Sequence, residues 1–329
     1  MPTLADVAKI AGVGVMSVSR VVNGTRRVSP EVERKVLAAI EKIGYQPNEA
    51  ARILKGTKSS VLGLIVPDLA DPFFGACCNA IQEAAWDAGY MTLMAASGHR
   101  EELERRETKV MVQRHVAGLL VVPIGSQNDH FLEAQKAGVP VVAIDRPIKH
   151  LESDSLTVDN LAASFRATQH LVDHGHRNIL CVADDERIYT KEERVSGYCR
   201  AMREAGLATT VCLVGPMTGS VADQLSIALK ATSSPTAIFA ANNLVGVDVL
   251  RYLQRYSVRV PDNIALICFD DFSAATLVSP TITVIQQPVA ELGQRAAQMM
   301  LERLKMPADA PPSRVVLSTQ LIIRKSCGC

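Results

Sequence analysis

Side chains that can bond hydroxyl groups follow nearly every short apolar run between residues 61 and 285. They are carboxylates, carboxamides and guanidinium groups, which together can both accept and donate hydrogen bonds to a small polar ligand. The clearest cases are Asp71, Asp145-Arg146, Asn242-Asn243, Asp270-Asp271 and Gln286-Gln287. Solvated loops would not place polar groups so regularly, and these residues therefore predict a ligand site.

Patterns typical of catalysis or of cofactor binding do not stand out in the sequence. It has neither a G-x-G-x-x-G loop after a strand nor a G-x-x-x-x-G-K-S/T loop, and no Ser-His-Asp arrangement is visible. His170 and His174, spaced i and i+4, could share a metal, but a structural helix end near His176 is the favoured interpretation. Cys327 and Cys329 are expected to belong to an ordinary frayed tail rather than a metal or redox pair. The sequence predicts a protein that is not an enzyme and has no cofactor or metal.

The apolar runs indicate the elements that position the polar residues. Runs such as VLGLIV (61–66) and IALICF (264–269) are short and uninterrupted, as in strands buried on both faces of a parallel sheet, and helical stretches separate most of them. The runs are too many for one compact sheet, so two α/β lobes are expected. Ligands of open parallel sheets bind beyond the carboxyl ends of the strands, where the polar residues lie.

The first 46 residues have a different pattern, with apolar residues at helical spacing in three short segments. A four-residue turn separates the first two, and Ser29-Pro30 provides a hydroxyl cap followed by proline at the first helical position. This arrangement predicts a helix-turn-helix unit. Its second helix would enter the major groove with Val18 inward and Met16, Ser17, Ser19 and Arg20 more outward.

Charge and length agree with a DNA-binding head on a larger body. Residues 1–58 carry ten Lys or Arg against five Asp or Glu, a net charge of +5, in a chain whose total is +1. A basic head predicts a polyanionic partner. The 329 residues contain no apolar run long enough to span a bilayer and begin with no secretory signal, so we expect a cytoplasmic protein with reduced cysteines.

The run TLADVAKIAGV, followed by SVSRVVNG and VSPEVERKVLAAIEKIGYQPNEAARILK, resembles the head of the lactose/galactose-repressor family of transcription regulators. The similarity extends over the whole chain, whose body resembles periplasmic sugar-binding proteins. It implies an all-α head with a hinge helix and an α/β body of two parallel-sheet lobes. The implied divisions are a helix-turn-helix domain at 1–46, a hinge helix and linker at 47–58, and an effector-binding and dimerisation domain at 59–329. Within the last domain, the N-lobe would comprise about 59–160 and 287–318, and the C-lobe about 161–286 and 319–329.

By position, Val15 and Met16 match the family's two variable base-reading residues, and Arg20 matches its base-contacting arginine. Because Val15 and Met16 are apolar, readout should favour thymine methyl groups over bidentate hydrogen bonds. Leu54 matches the family's minor-groove wedge, with Lys55 beside it for a phosphate or base contact. The implied DNA contacts are Thr3, Val15, Met16, Ser17, Ser19, Arg20, Asn23, Asn48, Ala51, Leu54 and Lys55.

The resemblance also implies an effector site in which aromatic faces enclose a sugar ring and polar side chains bond its hydroxyls. The implied contacts are Asp71, Phe73, Phe74, Asp145, Arg146, Arg194, Asn242, Asp270 and Gln287. Three carboxylates and two guanidinium groups sum to about −1, a balance that disfavours an anion and suits a neutral sugar. A sugar acid or sugar phosphate is the alternative.

The resemblance implies a transcriptional repressor that binds a pseudo-palindromic operator as a homodimer and is controlled by a sugar-like effector. The opposite sign, with the effector as corepressor, is left open by the sequence. A sugar receptor without gene regulation is a remote alternative, since it would have an export signal and no basic head. The end LIIRKSCGC has no room for the additional helix of the family's tetramers, so a dimer is expected. Trp86, the only tryptophan, is expected in the core or at a subunit interface.

Overall fold

The computed structural model describes residues 2–23, 28–46, 59–125, 128–184, 188–215, 217–231 and 233–329. They divide into two compact units, a head that ends at Ser59 and a body that begins at Ser60. Within the described ranges, no helix is both long enough and apolar enough to cross a membrane.

Three helices form the head: α1 (Leu4–Ala11), α2 (Val15–Asn23) and α3 (Pro30–Ile43). A capping box between Thr3 and Asp6 begins α1, and Gly12, at φ 65°, ends it in a left-handed conformation that glycine adopts without strain. The helices pack around fully buried Val7, Val18 and Val36. The predicted helix-turn-helix head is confirmed.

The body alternates strands and helices along the chain. In order they are β1 (Val61–Val66), α4 (Pro72–Asp87), β2 (Met91–Ala96), α5 (Glu101–Gln113), β3 (Gly118–Val121), α6 (Asp129–Lys136), β4 (Val141–Ile144), β5 (Asp154–Val158), α7 (Asn160–Asp173), β6 (Ile179–Ala183), α8 (Tyr189–Glu204), β7 (Thr210–Leu213), α9 (Val221–Ala228), β8 (Ala237–Ala240), α10 (Asn243–Arg255), β9 (Ala265–Phe269), a 3₁₀ turn (Ser273–Thr276), β10 (Thr283–Gln286), α11 (Val289–Arg303), β11 (Arg314–Leu317) and β12 (Gln320–Ile322).

These elements form two α/β lobes, each built on a six-stranded sheet. The sheet of the N-lobe has the order β11-β5-β4-β3-β1-β2, and all its strands are parallel. The sheet of the C-lobe has the order β12-β10-β9-β8-β6-β7 and is parallel except for β12, which pairs antiparallel with β10 at the edge. The predicted fold class of two parallel-sheet lobes is confirmed.

The interior strand β5 was not among the apolar runs, because its sequence, DSLTV, is largely polar although every residue in it is buried. The polarity is satisfied by a partner far along the chain: Asp154 accepts hydrogen bonds of 2.7 Å from both Nε and Nη2 of Arg303. A strand of this kind has no apolar periodicity to reveal it.

The chain passes between the lobes around residues 159, 287–288 and 318–319. Two of these crossings are bonded together, since Asp159 accepts from the Thr319 amide at 2.9 Å and forms an ion pair with Arg166, also at 2.9 Å. A bonded set of crossings lets the lobes lie side by side, with the carboxyl ends of both sheets along the space between them.

Candidate functional site

On the head, the start of α2 presents apolar side chains to solvent. Val15 is 48% exposed and Met16 is 71% exposed, whereas Val18, one turn further along, is fully buried. Ser17 and Arg20 are half-buried. An exposed methionine and valine at a helix N-terminus match the geometry by which recognition helices reach base edges.

The other predicted DNA contacts are placed only in part. Thr3 uses its hydroxyl group in the α1 capping box, donating to Asp6 Oδ2 at 2.7 Å and accepting from the Asp6 amide. Ser19 is half-buried, and Asn23 is the last residue of α2. The remaining four predicted contacts lie outside the described residues: Asn48, Ala51, Leu54 and Lys55.

In the body, one aspartate follows a central strand of each sheet in a left-handed conformation. Asp145 follows β4 at φ 67°, and Asp270 follows β9 at φ 71°. Positive φ is uncommon outside glycine and costs energy, although aspartate tolerates it better than most residues, and such strain concentrates at binding sites. Both carboxylates are buried at the carboxyl ends of their strands.

Arg194, on α8, organises the C-lobe side. Its Nε donates to Asn160 Oδ1 at 2.8 Å, and its Nη1 donates to the Ala241 carbonyl at 2.9 Å and to Asp270 Oδ2 at 3.2 Å. The guanidinium carbon lies 3.6 Å from the centre of the Phe269 ring, in a cation–π stack. With this many partners the buried guanidinium group is held in one place.

Asp270 is bonded on both carboxylate oxygens, because Gln287 donates to its Oδ1 while Arg194 donates to its Oδ2. Burial raises the pKa of Asp270 above its usual value, and the charge of Arg194 and the Gln287 hydrogen bond oppose that rise. The ion pair therefore sits in a poorly solvated place, where its charges act strongly on any polar ligand.

The N-lobe side is less completely bonded. Arg146 Nε donates to Asp145 Oδ2 at 3.0 Å, but among the residues that the structure describes the buried Nη1 of Arg146 has no hydrogen-bond partner. Gln287 Oε1 is likewise buried without a partner in the described part of the chain. Buried polar atoms are nearly always paired, so these two atoms mark a place where a ligand can complete the bonding.

Asp71 and Asn243 connect the lobes. Asp71 Oδ1 caps α4 by accepting from the Phe73 amide at 2.9 Å, and it also accepts from Asn243 Nδ2 of the other lobe at 3.1 Å. Phe73 is half-buried, whereas Phe74 is 6% exposed and belongs to the N-lobe hydrophobic core. Phe73 is thus the aromatic residue available to a ligand, and Phe74 supports it in an edge-to-face contact of 5.1 Å.

Asn242 is already bonded within the C-lobe. Its Oδ1 caps α10 by accepting from the Val245 amide at 2.8 Å, and its Nδ2 donates to Asp184 Oδ1 at 2.8 Å. Asp184 also forms an ion pair with Lys191. Asp184 directly follows strand β6, but nothing in the sequence marked Lys191, which lies on helix α8.

A cavity of about 490 Å³ lies next to this site rather than within it. It is lined by Pro147, by Tyr189 and by residues of β5 and β11, and none of the nine predicted effector contacts lines it. Burial, followed by the charges of Glu193 and Asp145, raises the pKa of Tyr189. The buried charged groups, and not the cavity, define the candidate site.

Comparison with known proteins gives matches along the whole chain. Residues 3–48 match the family described as bacterial regulatory proteins, lacI family, and residues 168–327 match a periplasmic binding protein-like domain. The HTH-type transcriptional repressor PurR of Photobacterium profundum is 32% identical over 334 residues, which cover 99% of this chain and 98% of that protein.

Two solved structures extend the comparison. A transcriptional regulator CelR–cellobiose complex is 28% identical, with a TM-score of 0.73 over 99% of this chain and 100% of that chain. A lac repressor dimer bound to operator and the anti-inducer ONPF has a TM-score of 0.85 over 99% of both chains at 24% identity, a likeness that shows the fold alone.

Proposed function

This chain belongs to the lacI family of bacterial regulatory proteins, and from that premise we propose that it binds a pseudo-palindromic operator as a homodimer under the control of a neutral sugar-like effector. Members of the family are transcription regulators that bind DNA and respond to small-molecule effectors. The observation that carries the effector half of the proposal is the set of buried, oppositely charged groups at the strand ends of both lobes. The protein would work where bacterial DNA is, in the cytoplasm.

The dimer is supported by exposed apolar side chains on the N-lobe. Trp86 of α4 is 70% exposed, and Met91 and Leu93 of the edge strand β2 are exposed beside it in sequence. Trp86 is therefore not a core residue, and a subunit interface is the remaining expectation for it. Exposed apolar patches mark interaction surfaces. Two heads related by a two-fold axis would require an operator with matching symmetry.

The neutral effector is supported by the charge balance of the cleft. Asp145 and Asp270 are each paired with a guanidinium group and Asp71 is not, so a bound anion would add to a net negative charge in a poorly solvated place. The CelR relative is described in complex with cellobiose, a neutral sugar.

A sugar acid or sugar phosphate is the second candidate, and one observation favours it. Arg146 Nη1 is buried and has no partner among the described residues, and a guanidinium group bonds carboxylate and phosphate oxygens well. The two candidates differ in whether Arg146 meets a hydroxyl group or an anionic oxygen.

We propose induction as the sign of control. In this proposal the closed form of the two lobes binds the effector tightly and DNA weakly. Effector binding shifts the protein toward the closed form, and DNA affinity falls by an amount that the effector's differential affinity for the two forms limits. The hinge segment 47–58 would transmit the change. A corepressor would use the same linkage with the opposite sign.

A thermal-shift screen against pentoses, hexoses, disaccharides, sugar acids and sugar phosphates tests the effector class. A ligand at ~100 times its Kd adds about 2.7 kcal/mol to the free energy of unfolding, which moves the Tm visibly. A rise with a neutral sugar supports the proposal. A rise with anionic sugars alone replaces it with the second candidate.

An operator selected by the protein from random duplexes tests the DNA half, with binding followed by fluorescence anisotropy. Leu54→Ala should weaken operator binding strongly and leave the effector-induced Tm shift unchanged, because the wedge acts only on DNA. An operator affinity equal to that of the wild type would show that Leu54 does not act as a minor-groove wedge. Wild-type affinity should also fall steeply with salt, since the basic head displaces phosphate counterions.

A further inference from the structure

Two imidazole groups and two thiol groups come together at the end of the C-lobe away from the cleft. Helix α7 has Asn160 at the cleft and His170 ten residues later, about 15 Å away along the helix axis. There His170 and His174 meet Cys329, and the ligand atoms of these three residues all lie within 4.8 Å of one another. This cluster takes no part in the effector site.

The distance between His170 and Cys329 is that of a metal centre, whereas the two sulfur atoms lie closer together than two zinc ligands do. His170 Nε2 lies 3.4 Å from Cys329 Sγ, and Cys327 Sγ lies 2.7 Å from Cys329 Sγ. A tetrahedral Zn²⁺ ion, with Zn–N near 2.0 Å and Zn–S near 2.3 Å, places its ligand atoms about 3.3–3.8 Å apart. His170, His174 and Cys329 would reach that range by small side-chain rotations, and Cys327 would have to turn away from Cys329 Sγ to serve as a fourth ligand.

The orientation of His174 is a second, independent observation. Its Nδ1 lies 2.7 Å from the His170 carbonyl oxygen, and because a carbonyl oxygen can only accept, Nδ1 carries the proton. Nε2 therefore keeps the lone pair that a metal needs. A metal-binding histidine usually donates its other N–H to a carbonyl or carboxylate in this way, which fixes both tautomer and ring direction.

The thiols lie on a segment that is fixed in place, contrary to the frayed tail expected from the sequence. Ser326 is fully buried, where its Oγ donates to the Leu266 carbonyl at 2.6 Å and accepts from the Thr283 amide at 2.8 Å. Cys327 is buried as well, and its sulfur accepts a hydrogen bond of 3.2 Å from Thr283 Oγ1. The Cys327 thiol also donates to the Arg324 carbonyl at 3.5 Å, so this sulfur is held in place beside Cys329 in advance of binding.

We propose that His170, His174 and Cys329 bind a thiolate- and imidazole-preferring metal ion, typified by Zn²⁺, with Cys327 as the fourth ligand. Soft sulfur and imidazole ligands select ions of this class and disfavour Mg²⁺ and Ca²⁺, which prefer oxygen. This proposal reverses the expectation from sequence that the histidines are purely structural. The ion would tie the segment after β12 to the end of α7, and it would not compete with the effector.

Cobalt substitution of the full-length protein tests the site without using DNA or effector. The reduced, chelator-stripped protein should take up one Co²⁺ per chain and show a thiolate-to-cobalt charge-transfer band with the visible bands of tetrahedral Co²⁺. Zn²⁺ should then displace the Co²⁺ and bleach these bands. Cys329→Ser should lose the charge-transfer intensity and weaken Zn²⁺ binding by about 100-fold or more, and His170→Asn should weaken it at least tenfold.

Matched controls separate the site from unspecific binding. Cys199→Ser removes a thiol from α8, and His99→Asn removes an exposed imidazole at a positive-φ position that asparagine tolerates. Both should bind Zn²⁺ like the wild type. Circular dichroism confirms that each variant folds, and the exposed position of Cys329 makes Cys329→Ser a mild change.

Two results would overturn the proposal. One is the absence of the charge-transfer band in fully reduced protein with two titratable thiols at the tail. The other is Zn²⁺ affinity unchanged by Cys329→Ser. If the thiol count of the isolated protein instead shows that Cys327 and Cys329 are already joined, and reduction restores no metal uptake, the pair is a disulfide and not a metal ligand pair.

Discussion

In the N-lobe, Asp145 follows β4 at φ 67° and is bonded by the adjacent Arg146; in the C-lobe, Asp270 follows β9 at φ 71° and is bonded by Arg194 and Gln287. The two lobes thus use the same backbone conformation to place a buried carboxylate at the cleft. They differ in how far the polar atoms are satisfied. Arg194 has four partners including the Phe269 ring, whereas Arg146 has one hydrogen bond and, among the described residues, a buried Nη1 without a partner.

The difference in hydrogen bonding between Arg194 and Arg146 indicates different roles for the two sides of the cleft. The Arg194 guanidinium group, bonded to Asn160, Ala241 and Asp270, is already in its binding geometry, so it loses little entropy when a ligand arrives and contributes to folding even without one. A buried donor without a partner gains a hydrogen bond only when a ligand provides it. We therefore infer that the C-lobe side sets the shape of the site and that the N-lobe side captures the ligand.

The largest expected effect comes from Arg194→Ala. It leaves Asp270 buried without its cation, and breaking a buried ion pair in this way costs about 3–5 kcal/mol in the free energy of unfolding. Effector affinity should fall by about 100-fold or more, while operator binding by the folded fraction persists. Chemical denaturation and isothermal titration calorimetry measure the two quantities.

Arg200→Ala is the matched control for that variant. Arg200 lies on the same helix but is exposed, where it bonds Glu204 and stacks on Phe165. It should change stability by less than about 1 kcal/mol. A normal effector response in Arg194→Ala would show that Arg194 does not contribute to the effector site. It would also contradict the inferred difference between the two lobes.

Arg146→Met should separate binding from folding. The side chain keeps its approximate volume but leaves Asp145 buried without its cation, so the free energy of unfolding should fall by about 3 kcal/mol, at the low end of the range for Arg194→Ala, which also loses the bonds to Asn160 and Ala241. Effector affinity should still fall by about 10- to 100-fold, because the free donor is gone. Equal losses of stability in the two variants would contradict the inference that the bonds of Arg194 contribute more to folding than those of Arg146.

The pH dependence of Asp270→Asn tests the carboxylate of the C-lobe. Burial raises the folded-state pKa of Asp270 above the unfolded value near 3.8. A group with a raised pKa stabilises the fold at pH values below its unfolded pKa, and that contribution is lost as the pH rises through its folded pKa. Each pKa unit corresponds to about 1.4 kcal/mol.

The Tm of the wild type relative to that of Asp270→Asn should therefore fall as the pH rises from 4 toward 7. Scanning fluorimetry of both proteins in matched buffers measures the difference directly. A relative Tm that rises with pH would mean that Arg194 outweighs burial and holds the pKa low. In that case the C-lobe network favours the ionised carboxylate more strongly than its burial suggests.

The sequence predicted the fold class and the placement of the cleft residues at strand ends, because apolar runs and the residues after them are local signals. It could not reveal β5, where Asp154 is satisfied by Arg303 from 149 positions away. It also could not show that Phe74 lies in the core while Phe73 remains half-exposed, since two adjacent phenylalanines look alike in sequence.

The same limit explains the tail. Ser326 and Cys327 are buried by contacts with Leu266 and Thr283, which lie on strands far away in the sequence. Nothing in KSCGC itself distinguishes an anchored segment from a frayed one. Contacts between distant segments decide burial here, and a single sequence does not contain them.

The smallest expected effect concerns the contact between the lobes. Asn243 Nδ2 donates to Asp71 Oδ1 at 3.1 Å, so Asn243→Ala removes a hydrogen bond worth about 1 kcal/mol from the arrangement in which the lobes touch. The effector concentration for half-release of operator should rise about fivefold, with the Tm of the free protein nearly unchanged.

Asn243→Asp sharpens the test, because it keeps the acceptor that bonds the Leu244 amide but replaces the donor with a second carboxylate facing Asp71. Like charges at this distance repel, so the half-release concentration should rise further than in the alanine variant, and high salt should reduce the difference. If both variants respond like the wild type, the bond between Asn243 and Asp71 does not contribute to closure. The two sides of the cleft would then act through the ligand alone.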